Sequence, residues 1–152
     1  MYSISFIING ILWKKGNNLR KIILLVLFFI SGYLFADNNI RIEIHNVLMN
    51  ADKVYVGTYF NETAYKNQKQ NMIIEIEPTN NIISTVINLP NGEYVLDAYQ
   101  DTNNNGVLDF GLFNIPKEPI GITNYNGGIP GNFNKHKVLV NNRTEFIRIN
   151  LR

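Results

Sequence analysis

Apolar and polar residues alternate with period two through most of the chain beyond residue 37, the pattern of strands with one face buried and one in water. Ile40, Ile42 and Ile44 alternate with Arg41, Glu43 and His45. Val54, Val56 and Thr58 alternate with Tyr55, Gly57 and Tyr59, and Tyr94, Leu96 and Ala98 with Val95, Asp97 and Tyr99. Further runs cover residues 72–77, 82–89 and 138–140, and residues 146–151 place Ile147, Ile149 and Leu151 on one face. These runs predict seven strands. Pro90-Asn91-Gly92 supplies the fixed and the positive φ that a tight reversal needs. Met49-Asn50-Ala51-Asp52 and Asn141-Asn142-Arg143-Thr144 are weaker turn signals. Residues 61–71 lack alternation and predict at most one short helix near 62–68. Seven short strands with little helix predict an all-β, antiparallel two-layer sandwich.

Residues 100–137 break the pattern, with Gly, Asn, Pro and scattered aromatics and no strand run. A connection of that length in a small domain is usually functional or disordered. Leu108, Phe110, Leu112, Phe113, Ile115, Ile120, Ile122, Tyr125 and Phe133 offer apolar anchors, so an ordered long loop at one end of the sandwich is expected. Binding residues concentrate in such loops.

The first 36 residues read differently from the rest. Lys14, Lys15, Arg20 and Lys21 precede an apolar stretch at 22–35, and Ser31, Gly32 and Ala36 lead into the polar Asp37. This is the layout of an export signal, and its 14 apolar-rich positions fall short of the roughly 20 that a spanning helix needs. Cleavage after Ala36 is expected, with an uncleaved anchor as the alternative and the leader then the only membrane contact. A second apolar stretch at 4–13 is either another membrane-seeking element or a sign that translation starts near Leu19. The chain thus divides into an N-terminal extension with signal peptide, 1–36, and a β-sandwich domain, 37–152. The absence of cysteine excludes both a lipid-anchored lipoprotein and disulfide staples. Four of the 14 Lys and Arg lie in the leader, leaving ten against twelve Asp and Glu, a net charge of −2 for the domain. No basic face supports nucleic-acid binding.

One segment has the spacing of a calcium loop. Asp101-Thr102-Asn103-Asn104-Asn105-Gly106-Val107-Leu108-Asp109 carries oxygen-bearing side chains at alternate positions and glycine at the sixth. In that reading Asp101, Asn103 and Asn105 give side-chain oxygens, Val107 a carbonyl, and Asp109 a direct or water-borne contact. Leu112 stands where an EF-hand has its bidentate Glu, so the loop holds only two carboxylates and an affinity on the order of 10⁻⁴–10⁻³ M is expected. The alternative is a metal-free asparagine turn, since Asn and Asp bond their own backbone and Asn accounts for 22 of residues 37–152.

Over most of residues 37–152, and most closely from Leu89 to Gly121, the chain resembles the domain-of-unknown-function family 2141. The likeness rests on Asn91-Gly92-Glu93-Tyr94, the 101–109 segment, Gly111, and Asn114-Ile115-Pro116-Lys117-Glu118-Pro119-Ile120-Gly121. It implies an exported bacterial protein with an immunoglobulin- or transthyretin-like sandwich, periplasmic or on the cell surface, and it implies no activity. Gln100 stands where the family pattern often has His, and Asn114 where Gly commonly precedes Ile-Pro.

Catalytic chemistry finds few residues. Beyond the leader the chain has one serine, Ser84, within a strand, and no cysteine nucleophile. His45 and His136 form no ligand-spaced pair for zinc. Tyr99, Phe110, Phe113, Tyr125 and Phe133 either pin the loop or line a platform for a sugar or peptide. The expected protein is an exported, non-catalytic binding or interaction module with an envelope or extracellular partner, its loop held by calcium or by asparagine turns. A carrier for a small hydrophobic or sugar ligand is the alternative, and a hydrolase using Asp109 and Glu118 a remote one.

Overall fold

The chain alternates between two sheets. Strand β1 (Asp37–His45) buries Ile40, Ile42 and Ile44 completely and turns Arg41 and Glu43 outward. It pairs antiparallel with β4 (Ile82–Pro90) along its whole length and parallel with β8 (Phe146–Asn150), giving the sheet order β4-β1-β8. In the second sheet β2 (Val54–Tyr59) lies between β3 (Met72–Ile76) and β5 (Gly92–Gln100). The far edge of β5 is shared: residues 92–94 pair with β7 (Val138–Val140) and residues 97–99 with β6 (Ile120–Ile122). Helix α1 (Glu62–Lys66) follows β2, a 3₁₀ turn occupies Leu112–Asn114, and helix α2 (Phe133–His136) precedes β7. This computed structural model describes residues 37–49 and 51–152; the export signal and extension read at 1–36 lie outside the described residues.

The inner faces of both sheets share one core. Ile42, Ile44, Leu89 and Ile149 from one sheet meet Val54, Val56, Leu96 and Val140 from the other, all fully buried. Each such side chain contributes roughly 1.5–3 kcal/mol of burial. At the crossing from β4 to β5 the Tyr94 hydroxyl donates to the Pro90 carbonyl at 2.9 Å, fixing the turn that carries the chain between sheets. The sheets also touch where β6 meets the end of β8: Ile120 N–H donates to Arg152 O at 3.2 Å and Arg152 N–H to Ile120 O at 2.9 Å. Gly121 permits this approach, since a Cβ there would lie 2.6 Å from the Asn150 carbonyl oxygen and from Ile149 Cγ2.

The all-β class and the seven expected strands are present, and α1 falls within residues 62–68. Two features differ. An eighth strand, β6, sits inside the stretch read as one long loop; three residues with glycine at the centre are too short to show alternation. The sheets are not wholly antiparallel, because β8 runs parallel to β1. Alternation marks which face of a strand is buried and carries no information on its direction. The apolar anchors of the loop also divide: Phe133 is buried, whereas Leu112 and Phe113 are 82% and 93% exposed.

Candidate functional site

The outer face of the five-stranded sheet is not a solvated face. Tyr55, Gly57 and Tyr59 on β2 lie opposite Tyr99, Asp97 and Val95 on β5, and Ile122 and Ile120 of β6 extend the rows beyond Asp97 and Tyr99. Helices α1 and α2 fold over one end of this face. There Tyr59, Val95 and Phe133 form a second buried cluster against Ala64, Tyr65 and Ile122. The first turn of α1 is set by Asn61, whose side chain accepts from Ala64 N–H at 2.8 Å. Beside this cover lies a cleft of about 970 Å³ lined by Tyr59, Tyr65, Asp97, Tyr99, Phe110 and Phe133 among others.

Asp97 is the one carboxylate of the sheet residues in that cleft. Its Oδ2 accepts from the Tyr59 hydroxyl at 2.7 Å. Gly57 lies directly across the strand pair, and a Cβ there would collide with Asp97 Oδ1 and come within 2.6 Å of Gln70 Cγ. The missing side chain is therefore the space that the carboxylate occupies. Burial pushes the Asp97 carboxyl above its usual range, and the Tyr59 hydroxyl and the Gly57 and Asp97 N–H groups pull only partly the other way. Burial raises the Tyr59 hydroxyl as well, helped by the Asp97 charge and their hydrogen bond. Tyr99 is pushed up to about 12, by burial first and then by Tyr55 and the carboxylates of Asp101, Glu118 and Asp97. Among the described residues the ion pairs engage Glu43, Glu75 and Glu93, and no basic side chain pairs with Asp97.

The 101–109 loop brings together all five residues read as calcium ligands and spends most of their oxygens on itself. Asp101 Oδ1 accepts from the N–H groups of Asn103 and Asn105 at 3.2 and 3.3 Å, and its Oδ2 from Gly106 N–H at 2.7 Å. Burial alone would raise the Asp101 carboxyl, but these N–H groups outweigh it and the pKa falls below 3.8. Asn103 Oδ1 accepts from Asn105 N–H and Asn105 Oδ1 from Val107 N–H. Both amides consequently turn their NH₂ groups toward Asp109, whose Oδ2 receives them at 2.7 and 2.9 Å. A cation at that point would need the amides to present oxygen instead, so the donor set as arranged fits an asparagine turn. Asn104 and Gly106 supply the positive φ of 57° and 78° that closes it.

Glu118 braces the loop from outside. It is buried, and its Oε1 accepts from Thr102 N–H at 2.8 Å while Oε2 accepts from Asp109 N–H at 3.1 Å. Gln100, fully buried, clamps the turn after β1: its amide donates to the Leu48 and Asp52 carbonyls and its Oε1 accepts from Leu48 N–H. His136 was not singled out by any spacing, yet it is fully buried and ties two loop segments together. Its Nε2 accepts from Gly131 N–H at 2.8 Å, which makes Nδ1 the donor to the Thr123 carbonyl at 3.1 Å. Among the described residues no three His, Cys, Asp or Glu gather as a metal cluster, and no helix is long and apolar enough to cross a membrane.

Among the described residues, two sheets of eight strands around a main core, without a disulfide, and an aromatic cleft over an outer sheet face define an all-β protein with a pocket beside its connections. The chain matches, over residues 42–148, the family described as uncharacterized protein conserved in bacteria (DUF2141), and it belongs to that family. No curated protein and no solved structure matches it.

Proposed function

We propose that the protein is an exported, non-catalytic binding module that holds a small organic ligand in the cleft over its five-stranded sheet. One observation carries this reading: a cleft of about 970 Å³ whose lining combines aromatic rings with a half-buried carboxylate, on a sheet face that the chain's own helices only partly cover. Ligand pockets have this make-up, mostly apolar with few well-placed polar groups. The module is of immunoglobulin-like type in this reading, supported by the β1–β4 and β2–β5 antiparallel pairs and by a tyrosine hydroxyl bonded back across the sheet-to-sheet turn. Export is supported by the basic and then apolar leader. The 101–109 loop serves as a hydrogen-bonded wall beside the cleft, with calcium a second reading that requires its asparagine amides to rotate. Glu118 acts as a brace here, because both its oxygens are held by loop N–H groups.

The test is a binding screen of small saccharides, amines and aliphatic alcohols against the wild type and Tyr65→Ala. Tyr65 contributes a half-buried ring to the rim, so its loss should weaken bound compounds several-fold while leaving the strands folded. Compounds that bind the variant as tightly as the wild type would remove the cleft from consideration.

A further inference from the structure

We propose that this cleft takes an organic cation, a quaternary or protonated amine, whose charge is met by the Asp97 carboxylate and whose alkyl groups lie against the rings of Tyr59, Tyr65 and Tyr99. The inference rests on the cleft being the ligand site and names the ligand's class. Its first support is that Asp97 lacks a counter-charge. The carboxylate is hydrogen-bonded by the Tyr59 hydroxyl at 2.7 Å and by the Gly57 and Asp97 N–H groups, but among the described residues no basic side chain pairs with it, as a carboxylate set into a sheet face normally requires. The glycine opposite it keeps that position open where any other residue would displace the carboxylate.

The second support is the ring arrangement around it. On one side of Asp97, Tyr59 meets Tyr65 edge to face with centroids 5.2 Å apart, and Tyr65 meets Phe133 at 6.3 Å. On the other side Tyr55 and Tyr99 stack at 4.9 Å. Aromatic faces attract cations through their quadrupole, and rings grouped about a carboxylate recognise ammonium groups rather than neutral alkyls. Charge nearby agrees in sign at the Tyr99 end, where Asp101, Glu118 and Asp97 all act on the tyrosine hydroxyl. At the α1 end Glu62 and Lys66 both line the cleft. Burial also holds the Asp97 carboxyl above its ordinary range, and a cation seated beside it would favour the ionised form.

Calorimetric titration of the full chain near pH 7 with choline, with 3,3-dimethylbutan-1-ol (its uncharged carbon analogue) and with glucose separates the possibilities. Choline should bind about tenfold or more tightly than the analogue. Asp97→Asn, whose amide can still bond Tyr59, should bring choline down to the analogue's level, and Tyr65→Ala should weaken it several-fold. The inference is overturned if the analogue matches choline in the wild type, or if Asp97→Asn leaves choline affinity unchanged. Binding of glucose without choline, lost in Tyr65→Ala, overturns the cation and leaves the cleft as a ligand site. Heat from none of the three overturns the cation as well, and a hit elsewhere in the wider screen would decide whether the cleft survives it.

Discussion

Asp97 and Asp101 stand four residues apart in the sequence, and the fold shifts their acidities in opposite directions. Asp97 has a folded pKa above its unfolded value, so its contribution is fully present below the unfolded pKa near 3.8 and is lost as pH rises through the folded one. Asp97→Asn should therefore gain on the wild type as pH climbs from about 3 to 7, by a few degrees in melting temperature. Asp101 has a folded pKa below 3.8, so its contribution is present above that value and lost as pH falls through the folded one. Asp101→Ala should cost about 1–3 kcal/mol at neutral pH, with the gap closing in acid; parallel thermal melts across pH check both signs. Only part of this was legible in the sequence. The alternation of β5 puts Asp97 on an outward face, and outward ordinarily means solvent. What covers it comes from α1 and α2, far along the chain, although Tyr55, Tyr59 and Tyr99 on that same face were a sign that it is not a plain polar surface. Asp101 was legible as a turn-former, since Asp with Gly five residues on is a local pattern with a local partner set.

The elements that show a clear period in the sequence are the ones found, because seven of the strands carry their burial pattern within themselves. The connection from β5 to β7 does not: it holds a three-residue strand and a four-residue helix whose existence depends on distant partners. His136 shows the dependence most directly, joining Gly131 to Thr123 from a buried position. His136→Phe keeps an aromatic ring, though a larger one, and removes both bonds, so it should cost about 1–3 kcal/mol for each group left unpaired, with the tighter fit adding to the loss. Hydrogen exchange should then quicken at Gly131 and its neighbours while β1 and β2 stay protected. The 101–109 segment is an element of the opposite kind, closed on itself by its asparagines and braced by Glu118. Its melting temperature should therefore move little between chelator and millimolar calcium; a rise that Asp101→Ala abolishes would establish the calcium reading instead.

At the scale of the whole molecule, the inner faces of two sheets make the stability and one outer face carries the proposed site. A main core, aliphatic but for Tyr94, holds the strands together without disulfides. That leaves the second sheet's outer face free to carry tyrosines, a carboxylate and a glycine gap, roofed at one end by short helices. Gly57 links the two roles. Gly57→Ala should leave the core intact yet push Asp97 aside, lowering ligand affinity well beyond its effect on stability. The most direct test of the cleft is a spectrum of tyrosine-labelled protein during titration with choline and the small-molecule panel. Ring signals of Tyr59, Tyr65 and Tyr99 should shift together while Tyr94, held to Pro90 at the sheet crossing, stays still. Shifts confined to residues outside the cleft, with those three tyrosines unmoved by any compound that binds, would contradict it.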